Sequence, residues 1–182
     1  MASTYSIKGS AIRMKFEFVR AHFGLLAEAA MHTHFRGRPE LEPLLDVTWV
    51  PFALYEEINH YIARTHFGGD LARLQEVGAF SADRGLRSIY RSWVRGKAFV
   101  EFLGRMGEYY KTFYSAGDLD VRVDSEEKAA ILLFRNAPLY SEAEMHIATG
   151  FFVGAARVMG LDDVAHTMTR QPTGMELRLR WS

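Results

Sequence analysis

Apolar and polar positions follow two different periods along this chain, and the change of period divides it. As far as residue 117 the apolar residues recur mostly every three or four positions, the spacing of one helical face. Ile12, Phe16, Phe18, Val19 and Phe23 mark a first helix over 11–23, with Ser10 placed to cap it. Gly24 separates it from a short helix over 25–35, which Arg36-Gly37-Arg38-Pro39 stops. Residues 41–49 fit neither period. Val50-Pro51 opens a third helix, with proline in the first turn where its missing N–H costs nothing. That helix carries Phe52, Leu54, Tyr55, Ile58, Tyr61 and Ile62 and ends before Gly68-Gly69. Asp70 is placed to cap the next, whose face is Leu71, Leu74, Val77 and Phe80. Two more helices are predicted over 86–93 and 97–115, the second closed by Gly117.

Beyond Gly117 the period becomes two. Leu119-Asp120-Val121-Arg122-Val123 alternates as a half-buried strand does, Ser125-Glu126-Glu127 is a turn, and 129–135 is the returning strand. Pro138 ends that hairpin. A helix over 142–159 carries Met145, Ala148, Phe152, Ala155 and Ala156 on one side and stops at Gly160. A second hairpin joins 164–169 to 175–181 around Gln171-Pro172-Thr173-Gly174, with Glu176, Arg178 and Arg180 alternating against Leu177, Leu179 and Trp181. Such a strand has one wet face. The predicted fold is α+β: a helical N-terminal half packed around a four-stranded antiparallel sheet made of two β-hairpins flanking one helix. No linker or repeat breaks the chain, so 1–182 reads as a single domain, 1–117 helical and 118–182 hairpin–helix–hairpin.

Composition narrows the chemistry. Lys plus Arg and Asp plus Glu each number 22, so the formal charge is zero and no basic excess suits many phosphate contacts; nucleic acid is not expected as a partner. The chain has no cysteine, which removes disulfides, thiol nucleophiles and thiolate metal sites. No run approaches about 18 uninterrupted apolar residues, so no membrane span is expected. The first residues show no apolar signal-peptide core, and the expected location is the cytoplasm. No Gly-x-Ser-x-Gly elbow, P-loop, Gly-x-Gly-x-x-Gly or His-Glu-x-x-His occurs. His32 and His34, two apart on a helix, point about 200° from each other. The expectation is a protein that is not an enzyme. Gly150-x-x-x-Gly154 with Ala155 and Ala156 predicts close approach of the last helix to the sheet. Arg84, Arg87, Arg91, Arg95, Lys97 and Arg105 form a basic stretch that reads as a solvated helix face or as a surface for an acidic partner.

The segment 138–181 resembles the 4-vinyl-reductase-type domain, and the whole chain resembles a small paralogous family found in many copies in myxobacteria. The matches are Gly9-Ser10, Trp49-Val50-Pro51-Phe52, Gly68-Gly69-Asp70-Leu71, Gly78-Ala79-Phe80-Ser81-Ala82 with Tyr90, and Thr149-Gly150-Phe151-Phe152-Val153-Gly154 with Trp181. The resemblance implies a superfamily that includes sensors of small aromatic effectors, heme-nitric-oxide-binding domains and vesicle-tethering scaffolds. Zinc-bearing members place cysteines near the last helix and the final hairpin. Here those stretches read Leu139-Tyr140-Ser141-Glu142 and 167–175, without cysteine, so no zinc is expected, although Glu142, Glu144, His146 and His166 stand nearby. The heme-binding members use a proximal histidine and Tyr-x-Ser-x-Arg. Tyr90-Arg91-Ser92-Trp93-Val94-Arg95 sets its arginine one residue late, which rotates it by about 100° on a helix, and lies in the wrong half of the chain. No cofactor is expected.

The aromatic load, 13 Phe, 8 Tyr and 3 Trp, reads either as a packed core or as an apolar pocket with a few polar handles. Helical facing and the sensor relatives together point to Trp49, Tyr90, Trp93, Phe102, Tyr109, Tyr110 and Phe113 as the ligand-binding wall. The expected function is a regulatory or sensory domain that binds a small hydrophobic or aromatic molecule and signals through a protein partner. The competing reading is a ligand-free interaction module of the same fold, acting as a homodimer.

Overall fold

The computed structural model describes residues 5–136 and 141–182. Strand β1 (Ser6–Lys8) runs straight into helix α1 (Gly9–Phe23), which buries Ile12, Phe16, Phe18 and Val19, the face its spacing marks. Gly24, at φ 89°, takes a conformation side chains avoid and turns the chain into α2 (Leu25–His34). β2 (Trp49–Pro51) pairs antiparallel with β1 and passes directly into α3 (Phe52–His66). Asp70 caps a single 3₁₀ turn, Leu71–Arg73, its Oδ1 accepting from Ala72 N at 2.9 Å, before α4 (Leu74–Arg87) begins. The helices α5 (Arg91–Val94), α6 (Phe99–Gly104) and α7 (Met106–Phe113) complete the helical half. Then come β3 (Asp118–Asp124), β4 (Ala129–Arg135), α8 (Glu142–Val158), β5 (Val164–Gln171) and β6 (Gly174–Trp181).

The two hairpins join into one antiparallel sheet of order β3-β4-β6-β5. Its register sets Leu119 opposite Phe134, Leu132 opposite Leu177 and Phe134 opposite Met175, so these side chains share the buried face. Arg178, Arg180 and Asp120 project from the other face into water. The fold is the predicted α+β arrangement. Pro138 lies outside the described residues.

Four local features differ from the sequence reading. The β1–β2 ribbon was not expected, because three-residue strands are too short to show a period. No helix spans 86–93: α4 stops at Arg87, and Tyr90 N donates back to Gly85 O at 2.9 Å, which lays the Tyr90 ring over Gly85. The helix predicted over 97–115 is two, broken at Arg105 between Gly104 and Gly107, residues of low helix propensity. The break brings Gly107 against the backbone of β3, where an added Cβ would stand 2.8 Å from Leu119 O. Finally, Gly150 and Gly154 face α4, not the sheet. An alanine Cβ would stand 2.1 Å from Gln75 O at position 150 and 2.7 Å from Ala79 Cα at 154. From α4, Gly78 answers them, since a Cβ there would stand 2.0 Å from Ile147 O, so the two helices meet backbone to backbone.

α8 is capped by Ser141, whose Oγ accepts from Glu144 N at 3.1 Å. Ser141→Ala should lower stability by about 1 kcal/mol. In a chain of this length that is a fall of about 2–4 °C in Tm, and an unchanged melting curve would show the cap to be unimportant. Among the described residues no helix is long and apolar enough to cross a membrane.

Candidate functional site

A cavity of about 110 Å³ lies between the helical half and the sheet. Its wall combines rings with side chains too short to fill the space between them. α1 contributes Ser10, Ala11, Met14 and Lys15, successive turns of its inward side. α4 contributes Ser81 and Gly85, which are too small to fill the space. α8 contributes Ile147, Ala148, Phe151 and Phe152, while Leu119 and Phe134 close the sheet side. A cavity this size is comparable to one that takes a benzene ring.

Of the sequence-predicted wall, Tyr90, Tyr110 and Phe113 line the cavity. The other four stand elsewhere. Trp49 is 45 % exposed and carries Lys8 Nζ at 3.9 Å from its ring centroid. Trp93 stacks on Tyr109 at 3.8 Å, so each ring spends its face on the other. Phe102 is wholly buried in the core. For Trp93, Phe102 and Tyr109 helical spacing gives a face but no partner, and for Trp49 it gives neither.

The polar end of the cavity was not read from the sequence. Lys15 is 2 % exposed and Glu144 is 0 % exposed. Lys15 Nζ lies 5.0 Å from the ring centroid of Tyr55, which also lines the cavity. Among the described residues no carboxylate stands within ion-pairing distance of that ammonium. The hydroxyl of Tyr114, another lining residue, donates to Glu144 Oε1 at 2.5 Å, and Glu144 Oε2 is buried with no hydrogen-bond partner among the described residues. On the far side Asn59 Nδ2 donates to Glu56 Oε1 at 3.3 Å. Tyr5 and Tyr110 join hydroxyl to hydroxyl at 3.3 Å.

Burial dominates the electrostatics of this end. It lowers the Lys15 ammonium to about 8, against the opposing pull of Glu144 and Glu56. It raises the Glu144 carboxyl to about 7; Glu56 raises it further, while Lys15, Tyr114 and Tyr55 hold it down. Glu56 is raised by burial too, and the phenols of Tyr5, Tyr55 and Tyr110 are all pushed up for the same reason. An amine and a carboxyl that each change charge close to neutrality therefore stand together behind an otherwise apolar wall. The signal for them was present in the chain. Lys15 falls on the stripe Ile12, Lys15, Val19, and Glu144 on the stripe Glu144, Ala148, Phe152, where a charge is out of place.

Other candidate chemistry does not assemble. Among the described residues no histidine lines the cavity, and the hydroxyl of Ser81 is turned back to Val77 O at 2.9 Å. Glu144 points inward to Tyr114, whereas His146 faces Glu142 at 3.9 Å. Among the described residues no group of three His, Asp or Glu could hold a metal ion. Arg87, Arg91, Arg95 and Lys97 border an exposed groove.

No protein-family model matches the chain, and no curated protein sequence matches it. Solved structures do. An oxygen-binding H-NOX domain related to soluble guanylate cyclases, in its oxygen complex, superposes with a TM-score of 0.74 over 96 % of this chain and 94 % of that one. The chain has the H-NOX fold. An H-NOX structure solved to probe the function of heme distortion gives a TM-score of 0.74 over 96 % and 94 % of the two chains. An H-NOX domain solved to explain the mechanism of H-NOX activation gives 0.75 over 96 % of each. The sequence identities of the three are 14 %, 12 % and 13 %, so the shared feature is the fold.

Proposed function

We propose that this chain is a non-enzymatic sensory or regulatory domain that binds a small apolar or aromatic molecule between its helical half and its sheet, and signals through a protein partner. We also propose, on the order of its motifs, that it belongs with the myxobacterial 4-vinyl-reductase-like paralogues. The observation that carries the first reading is the cavity itself: ring-lined, about 110 Å³, and bounded by α1, α4 and α8 at once. A molecule lodged there touches three helices whose relative positions it can bias, which is what coupling to a partner requires.

Heme, which some structures of this fold were solved to study, does not suit these residues. A porphyrin is several times larger than a benzene-sized space. Heme iron takes histidine, thiolate, methionine beside histidine, or tyrosinate as axial ligand. The described wall has neither histidine nor cysteine; of its four tyrosines, burial holds the Tyr55 and Tyr110 phenols protonated, Tyr114 donates its hydroxyl proton to Glu144, and the Tyr90 hydroxyl meets Ser10 Oγ at 3.5 Å. Among the described residues no arginine lines the cavity to meet propionates.

Toluene is a suitable probe. At a concentration of about 100 Kd it should stabilise the protein by about 2.7 kcal/mol, a rise of about 5–10 °C in Tm. Ala11→Leu, which grows a side chain into the cavity, should abolish that rise. Native mass spectrometry of the purified protein should release a small apolar molecule on unfolding. A bare protein that no aromatic probe stabilises would reject the reading.

A second reading has its own observation. Leu26 is 88 % exposed and Leu25 64 %, side by side at the start of α2. An interaction module would use such a surface, and a sharp dimer mass with no released ligand would favour it.

A further inference from the structure

We propose that Lys15 holds the ligand covalently, as an imine between its Nζ and the carbonyl carbon of a ring-sized aldehyde lodged in the cavity. The proposal rests on the ligand-binding reading above and names the ligand's class.

Three observations carry it. First, Lys15 is the one basic side chain in the described wall, and it is 2 % exposed. A lysine that merely covers apolar surface keeps its ammonium in water, and this one does not. Second, the ammonium makes no ion pair among the described residues: the Tyr55 ring centroid lies 5.0 Å away, and Glu144 and Glu56 act on it only from beyond ion-pairing distance. Burial shifts such a cation toward its free base, and the free base is the nucleophile. Third, a buried acid stands behind the same wall. Tyr114 lines the cavity and passes its hydroxyl proton toward Glu144, a fully buried carboxyl that the Tyr55 hydroxyl also steadies. A carboxylate ligand would meet Glu144 and Glu56 with one cation between three acids. A neutral aldehyde brings no charge, and its imine removes the buried ammonium.

The step balances without a redox partner. The neutral Nζ attacks the carbonyl carbon, the C–N bond forms, and the oxygen takes the proton that nitrogen loses. The Tyr114–Glu144 pair then delivers a proton to the hydroxyl, the C–O bond breaks, and one water leaves. Nitrogen returns its remaining proton to that pair as the imine forms. The lowered ammonium of Lys15 keeps more free amine present at neutral pH than the ordinary lysine value allows.

The test is reductive trapping of the full chain with benzaldehyde and cyanoborohydride, with peptide mapping and with toluene binding measured alongside. One benzyl group should appear on Lys15 at least about tenfold faster than on Lys8, Lys97, Lys111 or Lys128, since one pKa unit is a tenfold change in free amine. Excess toluene should slow the labelling of Lys15 alone. Lys15→Met should still bind toluene and lose the fast adduct. Ala11→Leu, which keeps Lys15 but blocks the space, should lose it too, so the result does not hang on one variant. If toluene binds and Lys15 is labelled no faster than the surface lysines, the imine is wrong and the ligand-binding reading stands. If toluene neither binds nor protects and no fast adduct forms, both are wrong.

Discussion

Gly150→Ala is expected to cost about 3 kcal/mol or more. In an ordinary helix that change gains about 0.5–1 kcal/mol, because alanine loses less backbone freedom on folding. Here the sign reverses. The new methyl would stand 2.1 Å from Gln75 O and 2.6 Å from Gln75 Cα, and neither is the movable end of a side chain. α4 and α8 must then separate along a seam where Gly78 is as tightly opposed and Gly154 nearly so. Overpacking typically costs about 1–3 kcal/mol, and a clash with backbone belongs at the upper end. Against a total stability of about 5–15 kcal/mol, the loss is a fall of about 6–12 °C in Tm. Gly104→Ala is the control: nothing lies within 4 Å of its new methyl, so it should leave Tm unchanged or raise it. Equal melting of the two variants would mean the seam is softer than its geometry. The consequence reaches the site, because α4 and α8 both line the cavity. A Gly150→Ala protein that still folds at low temperature should have lost its response to toluene.

How much of this was legible in the chain follows from what a periodic pattern can carry. Alternation over 119–123 announced the first hairpin, since one face of a sheet is wet and each residue must choose a side, and the turn at 125–127 placed its returning strand at 129–135. The apolar stripe of α1 was equally plain. The partner of a stripe was not. Gly150 and Gly154 announced a close approach, but spacing holds no information on which neighbour approaches, and the neighbour is α4. Tyr90 and Trp93 fall near one another in sequence, yet Tyr90 turns to the cavity while Trp93 stacks on Tyr109. The polar end was harder still. Lys15, Tyr55, Tyr114 and Glu144 come from four segments, and nothing local joins them. Only the anomaly of a charge on an apolar stripe was visible, at Lys15 and at Glu144, and that anomaly was the better guide to the site than the aromatic count.

The same two residues give the second large effect, a minimum in stability close to neutral pH. Glu144 is raised on folding from its ordinary value to about 7, mainly by burial. The folded state therefore binds its proton more tightly than the unfolded chain does. Its contribution is fully present below the unfolded value and is lost as pH rises through about 7. Lys15 is lowered on folding to about 8, again by burial. The folded state there holds its proton more loosely, so the cost of the buried ammonium is complete below about 8 and is relieved as pH rises beyond it. Between the two both groups are charged inside the protein, and stability from this pair is lowest. Urea midpoints should fall from about pH 5 to 7 and recover from about pH 8 to 10. Lys15→Met separates the two limbs. It should raise stability at about pH 6 by about 3 kcal/mol at most, taking about 1.4 kcal/mol for each unit by which burial lowers the ammonium. At that pH Glu144 is already mostly neutral, so its carboxyl is not left behind as an unpaired charge; Glu56, which Lys15 also holds down, sets how far the gain falls short of that ceiling. The recovery above about pH 8 should vanish. The falling limb should extend to higher pH, because the cation that holds the Glu144 carboxyl down is gone. A wild-type profile that does not recover above about pH 8, or a Lys15→Met protein less stable at about pH 6, would place the ammonium in water and remove the physical basis for a reactive amine in the cavity.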